Sequence, residues 1–414
     1  RGFLPYFAST AFHAGCPCRE RGRGVSRLPH ETCDVLVVGA GPAGATAAAA
    51  SAARGLRVVL AEKASFPRPK VCGCCLNARA LSVLDRLDLT PRLAAAGGQP
   101  LGHLTLHAAG RHAAVRLPHG LAVSRARLDF ELATDAARRG ADFREGCRVA
   151  ALDATEDRWR ATLEHRGRRG RLDASVVLVA EGLAGRLLDG TPLGTVRTRR
   201  DSRIGVGSVV PLEAHHAAPG AITMACGEGG YVGAVVLEDG SLDLAAAIDH
   251  EAARRGGGPG GLVQSILKSA EVDLGFDAAK LRWRGTPRLT RKRVRLADHR
   301  LFVLGDAAGY VEPFTGEGMA WAMSAGLAAS SFAQKSLDNW QPELVDKWHA
   351  EMRRLVRSRQ RWCKAMSFVL RRPALSGRLV GALAKTPGLS RPVVTSINEP
   401  LPSDAGPERI EACP

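Results

Sequence analysis

Aromatic residues and long apolar runs are both scarce in this chain of 414 residues. Phe, Trp and Tyr make up 5 % of the sequence, which is too few for the base-stacking platform of a single-stranded nucleic-acid binder. Neither paired zinc-finger spacing nor an aromatic RNA-binding strand motif occurs, so we expect no nucleic-acid partner despite the net charge of +17. No apolar run approaches the roughly 18 residues that a membrane-spanning helix needs, and we expect no such helix.

Cysteine is present, but not in the evenly spaced framework of a small secreted domain. The chain also shows no charged-then-apolar leader with a small-residue cleavage site. These two absences favour a reducing, cytoplasmic setting. Residues 1–32 are basic and interrupted by Gly and Pro, and we expect them to form a disordered arm. The remaining length and the hydrophobic content of 45 % suit a globular protein of two interleaved lobes.

A strand, a glycine-rich turn, a helix and a second strand begin the ordered part of the chain. The first strand covers 34–38, the turn is GAGPAG at 39–44, and the alanine-rich helix ends near Gly55. The second strand covers 57–62 and ends in Glu62. This is a βαβ unit, and its glycine turn stands in the context that dinucleotide binding requires.

The glycines of this turn have separate tasks in a dinucleotide site. Gly39 permits the tight turn, Gly41 lets the backbone approach a pyrophosphate, and Gly44 lets the helix lie close to the sheet. The helix N-terminus faces the phosphates, and Glu62 can accept hydrogen bonds from the ribose hydroxyls. The alternative is a purely structural glycine-rich turn.

A second glycine-rich crossing from strand to helix lies far along the chain. It comprises GDAAG at 305–309 and PFTGEG at 313–318. Asp306 can accept from a ribityl hydroxyl, and Gly316 and Gly318 let the backbone reach a flat ring. The helix that begins there points its positive end at the ring. Two such crossings indicate a long ligand that is held at both ends.

The middle and the end of the chain have different patterns. From 203 to 248 short strands alternate with turns, including a hairpin signal at 238–240, which predicts an antiparallel sheet in a second lobe. The run GGGPGG at 256–261 predicts a flexible break. From 342 to 372 the chain is basic with helical spacing.

GAGPAG, GDAAG and PFTGEG together resemble the FAD-dependent oxidoreductases of the geranylgeranyl reductase type, which are relatives of the aromatic hydroxylases and flavin-dependent halogenases. The resemblance covers about residues 33–372. It implies FAD as cofactor, with NAD(P)H as external reductant, and an α/β fold in which a Rossmann-like FAD-binding domain is interleaved with an antiparallel β-sheet substrate domain and followed by a helical C-terminal tail. The expected ranges are 33–195 and 286–340 for the FAD-binding domain, 196–285 for the substrate domain and 341–414 for the tail.

Two further positions carry over from this family. Arg125, in RARLD, matches an arginine that lies near the FAD phosphates, and Val149 matches a strand position whose backbone meets the adenine. The alternatives are a solvated arginine and a plain core valine. The complete set of expected FAD contacts is Gly39, Gly41, Pro42, Ala43, Gly44, Glu62, Lys63, Cys72, Gly73, Leu76, Arg125, Val149, Gly182, Gly305, Asp306, Pro313, Gly316 and Gly318.

One segment departs from the family pattern. Related proteins often have Asp-Gly followed by Ser and Arg after the third strand, whereas AEGLAGR at 180–186 keeps an acid and Gly182 but lacks the serine. Because the Asp-Gly element is associated with nicotinamide use in the hydroxylases, the route by which NAD(P)H reduces this flavin stays open.

The resemblance leaves several chemistries open for a small apolar substrate, either lipid-like or polyketide-like. Reduction of a carbon–carbon double bond is favoured over oxygen insertion, and both use the same reduced flavin. Halogenation of the tryptophan type is disfavoured because no lysine occurs between Lys70 and Lys268 and no Trp-x-Trp-x-Ile-Pro motif is present. A non-enzymatic FAD-bound scaffold is the remaining alternative.

Tyr231 is a candidate catalytic residue on the substrate sheet. The reductases often carry Tyr-x-Trp-x-Phe-Pro, and GYVGAV at 230–235 keeps the tyrosine but replaces the bulky groups with small ones. We therefore expect a wider pocket. The alternative role for Tyr231 is packing within the sheet.

The stretch KVCGCCLNAR at 70–79 places three cysteines within four positions. Cys72 and Cys75 have a C-x-x-C spacing, but the chain has no second one. The candidate histidines, His103 and His107, lie on an alternating strand-like run, where four residues span about 13 Å, too far to share one ion. We therefore expect no metal.

The same cysteines fit a flavin site better. They precede a helix that Asn77 can cap, where the helix dipole lowers a thiol pKa, so a redox-active dithiol stays open. The resemblance implies that Cys72, Gly73 and Leu76 form a wall beside the isoalloxazine ring. Cys72 is the second candidate catalytic residue, and its two roles are compatible.

The basic tail mixes arginine with large apolar side chains in MRRLVRSRQRWCKAMSFVLRR at 352–372. It is either a surface helix on an anionic membrane or a helix that packs on the FAD-binding domain with a solvated arginine face. We favour the packed helix and keep a peripheral membrane contact through these helices as the alternative, and we expect a monomer or a small homo-oligomer.

Overall fold

The computed structural model describes residues 31–312, 314, 316–357 and 360–400. Most of the expected basic arm and the expected FAD contact Pro313 lie outside the described residues. The strands are β1 (Glu31–Val38), β2 (Val58–Glu62), β3 (Cys75–Asn77), β4 (Gln99–Pro100), β5 (His103–Ala108), β6 (Arg111–Arg116), β7 (Gly120–Ala122), β8 (Asp142–Glu145), β9 (Cys147–Ala154), β10 (Trp159–His165), β11 (Arg168–Val179), β12 (Val196–Thr198), β13 (Ile204–Val210), β14 (Ala221–Gly227), β15 (Gly230–Val236), β16 (Leu242–Ile248), β17 (Arg284–Arg288), β18 (Arg291–Arg293), β19 (Ala297–Asp298), β20 (Leu301–Val303) and β21 (Gly309–Tyr310). The α-helices are α1 (Pro42–Ala52), α2 (Ala78–Asp85), α3 (Thr90–Ala95), α4 (Arg125–Arg138), α5 (His250–Arg255), α6 (Gly258–Ser269), α7 (Gly318–Asp338), α8 (Glu343–Met352), α9 (Gln360–Leu370), α10 (Pro373–Lys385) and α11 (Arg391–Asn398).

The first sheet contains the Rossmann-like unit. Its strand order is β19-β20-β11-β1-β2-β8, and β10 and β9 extend it from β11. β1 pairs in parallel with β11 on one side and β2 on the other. Val35, Leu36 and Val37 of β1 are fully buried, as expected of a central parallel strand whose two faces are both covered.

Helix α1 joins the two predicted FAD segments. Its residues are small and all of them are buried. A Cβ atom on Gly326 of α7 would lie 2.4 Å from the carbonyl oxygen of Ala43, and one on Gly305 would lie 2.8 Å from the Ala43 Cβ. Because real Cβ atoms do not approach so closely, glycine at both positions lets the second glycine-rich segment pack on the first turn of α1.

A seven-stranded sheet forms the second lobe, in the order β17-β13-β16-β15-β14-β5-β6. Neighbouring strands are antiparallel except β14 and β5, which are parallel. The predicted hairpin at 238–240 joins β15 to β16, and Gly240 takes a φ of +80° there. Helix α6 covers one face through Val263 and Ile266, which belong to the same buried cluster as Val232.

Two predictions for this lobe are wrong in detail. The segment 103–116 was assigned to the FAD-binding part 33–195, but β5 and β6 extend the seven-stranded sheet. Their partner β14 is more than a hundred residues away along the chain, so local pattern does not reveal the pairing. The run 256–261 is not a flexible break, because α6 begins at Gly258 and a Cβ on Gly260 would lie 2.5 Å from the Ala278 oxygen. These glycines permit close packing.

The tail is helical, as predicted. Its first part packs on the FAD-binding domain, where Trp348, Met352 and Leu355 belong to the same buried cluster as α1 and α7, and its later part packs on the substrate sheet. Helix α10 lies against the β5–β6 hairpin, where a Cβ on Gly377 would lie 3.1 Å from the Ala109 Cβ. The α/β fold with a Rossmann-like domain, an antiparallel sheet lobe and a helical tail is therefore confirmed. Within the part of the chain that the structure describes, none of the helices combines the length and apolar character needed to cross a membrane.

Candidate active site

A cavity of about 760 Å³ is lined by residues of both sheets and of the C-terminal helices. Its walls include the glycine turn before α1, the cysteine segment, the second glycine-rich crossing and the face of the seven-stranded sheet. Of the expected FAD contacts within the described residues, all line this cavity except Gly44. Both candidate catalytic residues, Cys72 and Tyr231, line it as well.

The glycine turn has the geometry that its sequence predicts. Gly39 has a φ of +99°, and a Cβ there would lie 2.5 Å from the Ala180 oxygen. A Cβ on Gly44 would lie 1.8 Å from the Gly39 oxygen, which explains why Gly44 packs inside the turn and does not line the cavity. At Gly41 the nearest described atoms to a Cβ are Nη2 of Arg68 at 3.8 Å and Nη2 of Arg125 at 3.9 Å. The turn therefore faces two guanidinium groups.

These two arginines share one buried carboxylate. Arg125 donates from Nε and Nη2 to the two oxygens of Asp129, each at 2.9 Å. Arg68 Nη1 lies 3.1 Å from Asp129 Oδ2, and the Asp129 side chain is fully buried. Both guanidinium groups lie beside Gly41, which is the N-cap of α1, so they and the helix N-terminus face the same space. This cradle fits a diphosphate group.

Arg68 was not predicted as a site residue, although it lies at the centre of this cradle. Its Nη2 also donates to Glu62 Oε2 at 3.3 Å, and its guanidinium lies 5.0 Å from the Phe66 ring centroid. Glu62 is further held by the backbone N–H of Ala40 at 3.0 Å and that of Ala64 at 2.9 Å. The carboxylate is thus fixed at the end of β2, where a ribose hydroxyl would reach it.

The second crossing supplies another wall of the cavity, next to the glycine turn. Gly305 and Gly316 have φ values of +61° and +71°, and α7 begins at Gly318. Burial is the main cause that raises the pKa of Asp306 to about 6, and the charge of Arg125 opposes the shift. This half-buried carboxyl, the open glycine backbone and the helix N-terminus fit the ribityl chain and ring of a flavin.

The cysteine segment lies next to this crossing. The Cys72 thiol donates to Sδ of Met319 at 3.9 Å, on the first turn of α7. The hydrogen bond from Cys74 and, after the opposing effect of burial, the charge of Arg125 lower the pKa of Cys72. Cys72 therefore ionises more readily than an ordinary thiol, which is compatible with its predicted place beside the flavin ring. Cys75 turns its thiol to the Gly73 oxygen at 2.8 Å.

Tyr231 projects from β15 in the middle of the seven-stranded sheet. Its ring packs edge-on against Phe314 with centroids 5.1 Å apart, and the Arg203 guanidinium lies 5.7 Å from it. Its hydroxyl is buried and finds no hydrogen-bond partner within the described residues. Burial raises the pKa of Tyr231 well above its ordinary value, so the phenol keeps its proton.

Beyond the cysteines and Tyr231 the cavity continues as an apolar arm. The C-terminal helices close it, because Asn77 donates to the Ile397 oxygen at 3.0 Å and the Ala78 N–H donates to Asn398 Oδ1 at 3.1 Å. The sequence prediction missed this role of the tail, although the spacing of Leu379 and Leu383 signals one apolar face. Side chains that line the arm include Leu104, Leu106, Met224, Leu379, Leu383 and Val394.

The departure at 180–186 has a structural cause. Glu181 Oε2 accepts from the Leu187 N–H at 3.0 Å, and a Cβ on Gly185 would lie 2.4 Å from the Glu181 Cβ. The acid thus holds its own loop together. Burial raises the pKa of Glu181, while Gly182 keeps a φ of +73° at the cavity wall.

The diphosphate cradle, the fixed acid on β2 and the second glycine crossing define an FAD-dependent oxidoreductase. The sequence profile of the FAD binding domain family matches residues 32–362, so the chain belongs to that family. This match confirms the predicted resemblance and FAD as the cofactor.

Curated relatives and a solved structure agree with this assignment. The menaquinone reductase of Mycolicibacterium smegmatis is 37 % identical over 152 residues, which cover 35 % of this chain and 33 % of that protein. Digeranylgeranylglycerophospholipid reductase 1 of Methanothermobacter thermautotrophicus is 27 % identical over 326 residues, 72 % of this chain and 76 % of that one. A geranylgeranyl bacteriochlorophyll reductase-like protein of Thermoplasma acidophilum has a similar structure, with a TM-score of 0.72, 18 % identity and coverage of 92 % and 95 %. At that identity the likeness concerns the fold alone.

Proposed function

We propose that the protein reduces a carbon–carbon double bond in the long apolar chain of a lipid-like substrate, such as an isoprenoid side chain. The observation that carries this proposal is one continuous cavity that joins the diphosphate cradle to the apolar arm. The two relatives are named for compounds with isoprenoid chains, and both names describe reductases. An apolar chain buried in the arm gains free energy in proportion to the area it removes from water.

In such a reduction, different residues of the site have different roles. Bound FAD supplies the hydride. Arg68 and Arg125 hold the diphosphate, and Glu62 holds the ribose. The apolar arm orients the chain and keeps water away from the reacting carbons. Tyr231 Oη, which keeps its proton because burial raises the pKa of Tyr231, is our candidate donor of the proton that completes the addition.

We also propose NAD(P)H as the external reductant. Gly182 and Leu183 line the cavity next to Arg186, an exposed cation that suits a nucleotide phosphate. Anaerobic mixing of the holoprotein with NADPH or NADH should bleach the flavin absorbance. If neither nucleotide bleaches it while dithionite does, another electron donor supplies the reducing equivalents.

The direct test uses the holoprotein under anaerobic conditions with dithionite and a polyprenyl lipid in detergent. We expect a product heavier by two hydrogen atoms in the mass spectrum, with the flavin reoxidised in parallel. A Leu383→Trp variant, which fills the apolar arm, should lose this product while it still binds FAD. Oxygen uptake in air together with a hydroxylated or epoxidised lipid, and no reduced product without oxygen, would replace the proposal with a monooxygenase.

A further inference from the structure

The proposed reduction leaves Cys74 and a buried carboxylate on the facing sheet without a role. Cys74 takes a φ of +50°, which turns its side chain inward, and it is 2 % exposed. Its thiol donates to the Cys72 carbonyl oxygen at 3.7 Å, and the contact between the two side chains lowers the pKa of Cys72 and raises that of Cys74. Cys75, by contrast, points away to the Gly73 oxygen. The structure therefore pairs Cys72 with Cys74, across one intervening residue, and not with Cys75 as the C-x-x-C spacing suggests.

An acid from the seven-stranded sheet reaches this pair. Asp243 of β16 is 7 % exposed, and after the Cys72 contact and burial its charge is the next cause that raises the pKa of Cys74. Its Oδ2 has no hydrogen-bond partner among the residues that the structure describes. A buried carboxyl oxygen without a partner destabilises the folded state, because its lost hydration is not replaced. Such a group is usually kept for a functional role. Burial raises the pKa of Asp243, which makes its carboxylate a stronger base.

The other end of the pair faces the flavin region. Cys72 Sγ lies 3.9 Å from Met319 Sδ at the start of α7, the helix end that fits the flavin ring. Arg125 stabilises the ionised form of Cys72. The surroundings of Cys74 are apolar and include Leu101, Val235 and Leu237. The thiol of Cys72 is thus activated near the cofactor, and the thiol of Cys74 is shielded from water beside the Asp243 carboxyl.

We propose that Cys72 and Cys74 are a redox-active dithiol that closes to a disulfide by passing two electrons to the oxidised flavin, with Asp243 as the base. The Cys72 thiolate and Cys74 form the S–S bond while the S–H bond of Cys74 breaks. The proton of Cys74 passes to the Asp243 carboxylate, and the flavin receives both electrons and one proton from solvent. In reverse, the same path lets reduced flavin open the disulfide. The pair is an electron entry or store that does not depend on the identity of the lipid substrate.

Trapping of thiols in the holoprotein tests this pairing directly. The protein is stripped of FAD, reduced, freed of reductant without oxygen, reconstituted anaerobically with one equivalent of oxidised FAD, quenched in acid and alkylated. We expect an intact mass lower by two hydrogen atoms, two fewer alkylated thiols and a cross-linked Cys72–Cys74 pair in the peptide map. The control Cys75→Ser should give the same disulfide, whereas Cys74→Ser should give none. Asp243→Asn should slow closure by about 100-fold, as expected when a positioned base is lost.

Measurements on the unmodified protein keep the proposal falsifiable if Cys74→Ser does not fold. Full alkylation of both Cys72 and Cys74 after contact with oxidised flavin overturns it. A Cys72–Cys75 cross-link also overturns it. A second readout uses no substrate, since anaerobic dithiothreitol should bleach the flavin of Cys75→Ser but not that of Cys72→Ser. Equal bleaching of both variants contradicts the link between this dithiol and the flavin.

Discussion

Arg68 and Arg125 both contact Oδ2 of Asp129, and Arg68 also pairs with Glu62, so buried carboxylates fix both guanidinium groups beside the cofactor space. Asp129 accepts hydrogen bonds from Arg125 and forms an ion pair with Arg68, and its side chain has no exposure to solvent. A third positive contribution comes from the N-terminus of α1. A dinucleotide diphosphate that enters this space gains charge-assisted hydrogen bonds without a large rearrangement, because Asp129 already holds the guanidinium groups in place.

Replacing Arg68 with Met should weaken FAD binding with little change in side-chain volume. One charge-assisted hydrogen bond is worth about 1.5–3 kcal/mol, so we expect the Kd for FAD to rise by about 10-fold to 100-fold. Fluorescence titration of the apoprotein measures it. Arg127→Met is the control, since Arg127 lies on α4 two residues after Arg125 but is 38 % exposed and paired with Glu131. An unchanged Kd for Arg68→Met would mean that the cradle does not hold the diphosphate.

Among single residues, the sequence predicted those that belong to a spaced motif and missed those that stand outside any motif. Gly39, Gly41 and Gly44 could be assigned from their spacing, because each backbone requirement excludes a side chain. Arg68 carries no pattern of its own, and only the fold brings it to Asp129. The left-handed backbone at Cys74 cannot be read from the order of residues either.

Close contact between α1 and α7 sets the distance between the two halves of the FAD site. Gly326 lies where a Cβ would meet the Ala43 oxygen at 2.4 Å and the Ala47 nitrogen at 3.0 Å. Neither backbone atom can move without shifting the first turn of α1. A larger side chain at this contact would therefore displace the first turn of α1, which is part of the diphosphate cradle.

Gly326→Ala should destabilise the protein and weaken FAD binding together. Overpacking of a tight core contact costs about 1–3 kcal/mol, which chemical denaturation of the apoprotein measures, and FAD titration should show a parallel rise in Kd. Gln334→Ala on the outer side of the same helix should change stability by only a few tenths of a kcal/mol, since it removes one exposed pair with Asp338. A Gly326→Ala variant as stable as the parent would show that α1 and α7 can separate freely.

Elements with a local signal were predicted well, and those defined by distant partners were not. The βαβ unit, α7 and the hairpin at 238–240 follow from periodicity and turn residues within short windows. The pairing of β5 with β14 is a long-range event that no local pattern encodes. The glycines at 256–261 suggested flexibility, whereas in the fold they let α6 approach the segment around Ala278.

The whole molecule combines a positive charge of +17 with apolar side chains at one end of its cavity. Leu389 lines the apolar arm and is 57 % exposed. Phe368 is 55 % exposed, and the Arg372 guanidinium lies 3.7 Å from its ring centroid. Arginine beside exposed apolar groups is typical of a surface that rests on anionic lipid. The sequence predicted the basic helices but not that they form a wall of the cavity, which depends on the docking of α10 on the sheet.

If this end of the molecule rests on a membrane, a lipid chain can pass into the arm without crossing water. We expect the protein to sediment with anionic vesicles at low salt and to be released as salt screens the attraction. Leu389→Asp should reduce sedimentation several-fold, because the variant places an anion against the lipid surface. Leu212→Asp is the matched control. Leu212 is 55 % exposed and follows β13, close to one edge of the seven-stranded sheet, whereas the C-terminal helices lie at the other edge, against β6. Equal loss in both variants would mean that binding follows overall charge, and no sedimentation by the parent protein would exclude the membrane contact.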